Sequence, residues 1–207
     1  SGVFGSGKQT KRDLIAEVSA LLAFAAQRNN DKIGLTLFTE RVEKYIAPAK
    51  GNRHVLRMVR DILDFTSNLR GGDLQHCLQH LQKTFRRRAV MVVLSDFLDP
   101  LPVSTLQQAK HRHDLIAIQV TDPREENLPA MGQITMEDAE TGEVGEISLQ
   151  NNQQLLAFSK HQAQIQVKLE QQFSSLGIDH IRLHTDEPYV PRLSKFFRSR
   201  LKRQLRT

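Results

Sequence analysis

Cysteine is almost absent from the chain, because Cys77 is the only one among 207 residues. A single thiol excludes an internal disulfide and suits a reducing compartment, so we expect a cytoplasmic protein. Cys77 recurs with three leucines on one helical stripe, which indicates core packing rather than a reactive nucleophile. These leucines are Leu74, Leu78 and Leu81.

Long apolar runs are lacking as well. No stretch approaches the roughly 20 residues that a membrane-spanning helix needs, and the start of the chain lacks the pattern of a signal peptide. Hydrophobic residues make up 39% of the chain and charged residues 25%, the balance of a folded globular protein. We therefore predict a single domain over residues 1–207, without membrane insertion.

Acidic residues are missing from the last twenty positions, which hold seven basic ones: Arg192, Lys195, Arg198, Arg200, Lys202, Arg203 and Arg206. The net charge of the whole chain is +6, so the remainder is close to neutral. The positive charge therefore belongs to one terminal helix and does not indicate a nucleic-acid surface spread over a domain. Within this helix we expect an apolar stripe to pack on the sheet and the basic side chains to face mostly outward. The stripe is Val190, Leu193, Phe197 and Leu201.

Recognisable catalytic patterns are also missing. No glycine-rich phosphate loop, catalytic triad or pair of catalytic carboxylates stands out, so we predict that the protein is not an enzyme. His76 and His80 have a spacing that can bind a transition metal, but no nearby Cys or His completes a site. The segment Asp122-Pro123-Arg124-Glu125 is interpreted as scaffolding where a strand ends.

The most informative segment that is present runs from Val90 to Phe97. Its apolar, β-branched residues predict a strand covered on both faces, as in the interior of a parallel sheet. The run ends at Ser95 and Asp96, at the carboxyl end of the strand, where open α/β sheets bind ligands and metal ions. Asp96 is therefore a candidate site residue, with a helix cap or a loop hydrogen bond as the alternative role.

Helical and strand patterns alternate along the rest of the chain, which predicts an α/β fold with helices on both faces of a parallel sheet. Apolar spacing predicts helices at 11–29, 52–65 and 74–85, and a helix of about ten residues follows Pro102. A long helix is predicted at 151–175, capped by Gly177, and a basic helix closes the chain. Buried strands are predicted at 33–38, 90–97 and 115–120, and a further strand at 178–183. An edge strand is predicted at 41–48 and a β-hairpin at 133–149.

Six short motifs follow one another along the chain. They are Phe4-Gly5-Ser6-Gly7, Lys32-Ile33-Gly34-Leu35, Leu94-Ser95-Asp96-Phe97, Thr121-Asp122-Pro123-Arg124-Glu125, Leu128-Pro129 and Glu137-Asp138-Ala139-Glu140-Thr141-Gly142. In this order they resemble one bacterial family, domain of unknown function 58, whose fold is similar to von Willebrand factor A domains. The resemblance runs from Ser1 to about Arg200 and implies a Rossmann-like, mostly parallel sheet flanked by helices, with an inserted β-hairpin.

The resemblance also implies a metal-ion-dependent adhesion site. Such a site takes an Asp-x-Ser-x-Ser loop, a Thr and a further Asp, whose oxygens suit Mg²⁺ in octahedral geometry. Ser1 aligns with the last serine of that loop and Asp96 with the further Asp, so both are candidate metal ligands. Gly72 stands in place of the Thr; Asp73 beside it either substitutes or caps a helix. Two expectations remain open: an Mg²⁺ site that includes Ser1 and Asp96, or a degenerate site that binds partners without metal.

The loop's Asp, its earlier Ser and the first strand of the family fold do not occur in this chain. We therefore expect the chain to be the C-terminal part of a longer protein. The resemblance implies a non-enzymatic interaction module that acts with a MoxR-type AAA+ ATPase on an unknown client protein. The alternative is a metal-dependent hydrolase or a nucleic-acid-binding protein that uses the basic C-terminal helix.

Overall fold

A computed structural model describes residues 9–65, 72–126, 133–137, 144–148 and 152–205. The helices are α1 (Lys11–Arg28), α2 (Asn52–Leu63), α3 (Leu74–Thr84), α4 (Val103–Arg112), α5 (Pro123–Glu126), α6 (Asn152–Ser175) and α7 (Tyr189–Gln204). The strands are β1 (Ile33–Phe38), β2 (Val42–Ala49), β3 (Val90–Ser95), β4 (Asp114–Thr121), β5 (Gln133–Glu137), β6 (Val144–Ser148) and β7 (Asp179–His184). These bounds confirm the predicted order of helices and strands, except that the short helix α5 was not predicted.

The chain divides into two compact units. The first unit comprises Arg12–Val90 and Phe97–Asp114, and it contains the antiparallel pair β1–β2 with α2, α3 and α4. Apolar side chains at helical spacing form its core, and the fully buried ones include Leu14, Val18, Val55 and Leu78. The predicted helix cap at Asp73 is confirmed, because its carboxylate accepts a hydrogen bond from the His76 amide at 2.7 Å.

The second unit comprises the described residues 9–11, Met91–Asp96 and the described residues from Leu115 onward. Its centre is a three-stranded parallel sheet in the order β3-β4-β7, with α6 and α7 in contact with β7. Every residue of β4 from Leu115 to Thr121 is buried, so both faces of this strand are covered, as helices on both sides of a sheet require. Gly177 has φ 63 and ends α6, because glycine adopts this left-handed conformation without strain.

The predicted hairpin is confirmed by β5 and β6, which pair antiparallel from Gln133↔Ser148 to Glu137↔Val144. Its predicted turn at residues 140–142 lies outside the described residues. The prediction of one domain over 1–207 stays a prediction. None of the described helices is long and apolar enough to cross a membrane.

Two strands that were expected to be buried are only half-buried. β1 pairs with β2 in a separate sheet, and its residues are mostly of intermediate exposure. In β3 no residue is fully buried and Val90 is 63% exposed. The physical reason is strand order: among the described residues β3 has one strand neighbour, whereas the buried β4 lies between two. The apolar run predicted the strand correctly but not its place at the edge of the sheet.

The inward face of the closing helix also differs from the predicted stripe. Leu193 is buried and Phe197 half-buried, but Val190 and Leu201 are exposed. Arg200 is buried in their place, so the prediction that the basic residues face outward fails at this position. A helix turns by about 100° per residue, and the positions that share the inner face with Leu193 are 196, 197 and 200.

Candidate functional site

Asp96 lies directly after β3, where the sequence placed it, and its carbonyl oxygen accepts a hydrogen bond from Gln119 Nε2 at 3.4 Å. The next residue, Phe97, has φ 53, which is unusual for a residue other than glycine. The chain therefore turns sharply immediately after the aspartate, and such backbone conformations are common near functional sites.

The carboxylate of Asp96 is bound by an ammonium group. Lys11 Nζ lies 3.0 Å from Asp96 Oδ2 and 2.5 Å from Glu125 Oε1, and the lysine side chain is only 2% exposed. Burial by itself lowers the pKa of Lys11, but the negative charge of Asp96 and the hydrogen bond to Glu125 outweigh it and raise the pKa above 10.5. Lys11 is therefore protonated at neutral pH and lies between two carboxylates.

Glu125 is held in place by the short helix α5, which begins at Pro123 directly after β4. Its second carboxylate oxygen, Oε2, accepts a hydrogen bond from the amide of Asp122 at 3.3 Å. The amide of Glu125 in turn donates to the carbonyl oxygen of Asp122 at 2.9 Å. This reciprocal pair, with proline at the first helical position, fixes the glutamate beside the end of the strand.

The carboxylate of Asp122 is fully buried and accepts a hydrogen bond from Thr185 Oγ1 at 2.9 Å. The amide of Thr185 donates to the carbonyl oxygen of Thr121 at 3.1 Å, which joins the ends of β4 and β7. Because the three strands are parallel, Asp96, Asp122 and Thr185 all follow strand ends at the same edge of the sheet. We call this group, together with Lys11 and Glu125, the sheet-edge cluster.

The predicted site residues have different outcomes. Asp96 belongs to the sheet-edge cluster, whereas Ser1 lies outside the described residues. Gly72 belongs to the first unit and has no side chain to offer, and Asp73 caps α3. The assignment of Ser1 and Asp96 as metal ligands stays a prediction.

Lys11 and Glu125 were not predicted as site residues, although the sequence holds a signal for each. Lys11 stands three positions before Leu14 and seven before Val18, on the apolar face of its helix, where a lysine is unexpected unless it has a charged partner. Glu125 falls within a motif of the family resemblance that was interpreted only as scaffolding.

The described residues around Asp96 fit an ammonium rather than Mg²⁺. Within the described ranges no group of three or more His, Cys, Asp or Glu side chains could hold a metal ion. Mg²⁺ requires about six oxygen ligands at 2.0–2.1 Å, and the Lys11 ammonium already lies at hydrogen-bonding distance from the carboxylate that would supply one of them.

Cys77 is unsuited to nucleophilic chemistry. Burial, together with the negative charge of Asp73, raises the pKa of the thiol to about 12. The thiolate, which is the reactive form, is therefore scarce at neutral pH. The interpretation of Cys77 as a core residue is confirmed by its burial beside Leu74 and Leu78.

A second candidate surface lies on α7. Leu201 is 57% exposed and Leu205, which follows the helix, is 78% exposed. Spacings of three and four residues place them on one side of the helix with exposed cations. We call this side the outer face of α7, and its residues are Lys195, Arg198, Leu201, Lys202 and Leu205.

Comparisons with known proteins agree with this fold. An uncharacterised protein of Mycobacterium tuberculosis is 28% identical over 203 residues, which are 95% of this chain and 63% of that protein. A protein of Mycobacterium avium is 31% identical over 161 residues, covering 74% of this chain and 92% of the relative. The chain thus spans less than two thirds of the length of the Mycobacterium tuberculosis relative.

The crystal structure of the conserved hypothetical protein BatB from Bacteroides thetaiotaomicron is similar, with a TM-score of 0.56 and 14% identity. The match covers 93% of this chain and 89% of BatB, and at this identity it supports the fold alone. The family described as protein of unknown function DUF58 matches residues 1–168. With the six motifs in order and this match over most of its length, the chain belongs to the DUF58 family.

Proposed function

We propose that this chain is a non-enzymatic interaction module that binds an acidic partner protein through the outer face of α7. The observation that carries the proposal is the exposure of Leu201 and Leu205 beside three exposed cations. Exposed apolar side chains rimmed by charge are typical of surfaces that bind other proteins. The cations would steer an acidic partner, and the leucines would be buried on contact.

A binding role is also consistent with the chemistry of the sheet-edge cluster. Its ionisable groups are engaged with one another: Lys11 binds both Asp96 and Glu125, and the buried Asp122 accepts from Thr185. A general base or nucleophile must be able to reach a substrate atom. Groups that are mutually paired in this way support a scaffold better than a catalytic centre.

The partner that we propose is a MoxR-type AAA+ ATPase, which the family resemblance implies, acting with this chain on a client protein. Lys195, Arg198 and Lys202 are all positively charged, and no acidic residue occurs in the same helix. An acidic patch on the ATPase would therefore be complementary to this surface. Mg²⁺ at Ser1 and Asp96 stays a prediction of the family resemblance, and binding through α7 does not require it.

The test measures the affinity of the full chain for the MoxR-type ATPase of the same organism by calorimetry or pull-down. In one variant Lys195, Arg198 and Lys202 are replaced by Gln, and in its matched control Arg86, Arg87 and Arg88, which are exposed elsewhere, are replaced in the same way. We expect at least about a tenfold loss of affinity, on the order of 1.4 kcal/mol, for the α7 variant alone.

A second pair of variants separates the apolar contribution from the charge. Leu201→Ser with Leu205→Ser should weaken binding, whereas Leu156→Ser, which removes an equally exposed leucine of α6, should not. Wild-type affinity of the triple Gln variant at low salt would refute the proposal. If the wild-type chain binds duplex DNA and the triple Gln variant does not, the result would favour the alternative function. That alternative is a nucleic-acid-binding protein that uses the basic C-terminal helix.

A further inference from the structure

We propose that Lys11 is the resident cation of the sheet-edge cluster, and that its ammonium holds Asp96 and Glu125 together where a metal-dependent adhesion site would use Mg²⁺. This inference concerns a different part of the chain from the outer face of α7. It assigns to a side chain the role that the family resemblance gives to a metal ion.

The geometry of Lys11 supports a built site. Its Nζ atom donates to Asp96 Oδ2 at 3.0 Å and to Glu125 Oε1 at 2.5 Å, so both are hydrogen bonds between opposite charges. The two acceptors follow β3 and β4 and are far apart in sequence, so the ammonium links two loops at one edge of the sheet. Long-range links of this kind are what a structural cation provides.

The Lys11 ammonium is buried between its two carboxylate partners. Lys11 is nearly inaccessible, whereas Asp96 and Glu125 are 19% and 26% exposed. A buried charge is tolerated only when it is paired, and here both partners are ionic. The lysine therefore faces the two carboxylates from inside the protein, and the second oxygen of Glu125, Oε2, accepts a hydrogen bond from the amide of Asp122.

Lysine and a divalent ion exclude each other at this position. An ion that coordinated Asp96 Oδ2 would lie within a few ångströms of the ammonium, where like charges repel strongly in a partly buried setting. The charge of Lys11 does not titrate away near neutral pH, because its pKa is raised. Binding of Mg²⁺ through this carboxylate oxygen would thus require the lysine to leave two acidic partners.

Loss of the ammonium should reverse this preference. The variant Lys11→Ser leaves two carboxylates around a small polar space, which is the ligand type that Mg²⁺ and Mn²⁺ prefer, with water completing the coordination shell. We therefore expect a gain of divalent-ion binding in the variant, which a purely packing role of Lys11 would not produce.

The experiment uses the full chain with Mn²⁺ as an electron paramagnetic resonance probe and Mg²⁺ in thermal unfolding. Wild type should bind no Mn²⁺ at this site, and its melting temperature should be the same in chelator and in millimolar Mg²⁺. Lys11→Ser should melt lower than wild type in chelator and should recover part of the loss in Mg²⁺. Adding Glu125→Gln to Lys11→Ser should abolish that recovery.

The wild-type measurement decides the proposal even if Lys11→Ser fails to fold. Stoichiometric Mn²⁺ binding by wild type that is lost in Asp96→Asn would overturn it, because the metal would then displace the lysine. A folded Lys11→Ser variant that shows no response to Mg²⁺ would overturn the assignment of the ammonium as a substitute for a metal ion. Neither result would affect binding through the outer face of α7.

Discussion

Arg200 of α7 forms an ion pair with Asp179, the first residue of β7, and the guanidinium side chain is only 8% exposed. Arg203 binds the other carboxylate oxygen of Asp179 at 2.5 Å, but its side chain is largely exposed. The last helix is thus attached to the sheet by a buried charge as well as by apolar packing of Leu193.

We predict that Arg200→Gln lowers the free energy of unfolding by about 3 kcal/mol, because it leaves the carboxylate of Asp179 without its buried partner. The matched control is Lys202→Gln, which removes an exposed charge from the same helix and should change stability by no more than about 0.5 kcal/mol. Urea denaturation followed by circular dichroism measures both values. Equal effects of the two substitutions would show that burial of Arg200 contributes nothing.

The buried His113 and the half-buried His180 should make the protein sensitive to acid. Burial lowers the pKa of His113 below 6.5, and the charge of Arg112 lowers it further. Burial also lowers the pKa of His180, which stacks on Phe173 with ring centroids 4.8 Å apart. In the described part of the chain neither ring nitrogen of His113 has a hydrogen-bond partner.

The direction in which stability changes with pH follows from the uptake of protons by the folded and unfolded chain. The unfolded chain takes up protons as the pH falls through 6.5, whereas the folded protein takes them up only at lower pH. The stabilisation by neutral His113 and His180 is therefore complete above this pH and is lost as the pH falls below it. Each histidine contributes a slope of at most about 1.4 kcal/mol per pH unit.

Urea denaturation at a series of pH values between 7 and 5 tests this expectation. The range is chosen to include the ordinary histidine pKa of about 6.5. The double variant His113→Phe, His180→Phe should have a flatter dependence of the unfolding free energy on pH than wild type. An unchanged slope in the double variant would assign the acid sensitivity to other groups.

The hydrogen bond between Thr185 and Asp122 should stabilise the junction of β4 and β7. Thr185→Val keeps the shape of the side chain and removes the hydroxyl donor, so the free energy of unfolding should fall by about 1–3 kcal/mol. Thr185→Ser retains the hydroxyl and serves as the control, with a smaller loss. If Val and Ser destabilise equally, the effect comes from lost packing rather than from the hydrogen bond.

The order of helices and strands was predictable because it depends on local patterns. Apolar spacing marked α2 and α3, Asp73 marked a helix cap, and Gly177 marked a helix end, and each is found in place. Such signals act within a few residues and do not depend on the rest of the fold.

Relations between distant residues were less predictable. The position of β3 at the edge of its sheet depends on which strands are its neighbours, and the run of apolar residues does not encode this. The partnership of Lys11 with Asp96 and Glu125 spans 85 and 114 positions along the chain. Periodicity placed each of these residues at the end or beginning of an element, but only the folded topology brings their charges together.

Strand β2 approaches β1 closely at Gly34. The register of the two strands shifts between Ile33 and Leu35, opposite Pro48. A Cβ atom added to Gly34 would lie 3.0 Å from the carbonyl oxygen of Ile46 and 3.0 Å from Pro48 Cγ. A bulge beside a proline needs a residue without a side chain at this point, because the backbone carbonyl cannot move aside without disturbing the pairing.

Gly34→Ala should therefore lower the free energy of unfolding by about 1–3 kcal/mol. Gly72→Ala is the matched control in the same unit, since among the described residues a Cβ there would meet only Phe38 Cε2, at an ordinary contact distance of 3.8 Å. Pro48→Ala should reduce the cost of Gly34→Ala in a double-mutant cycle, because it removes one of the two close contacts. Equal stabilities of the Gly34→Ala and Gly72→Ala variants would mean that the strands separate at no cost and that Gly34 is not required at the bulge.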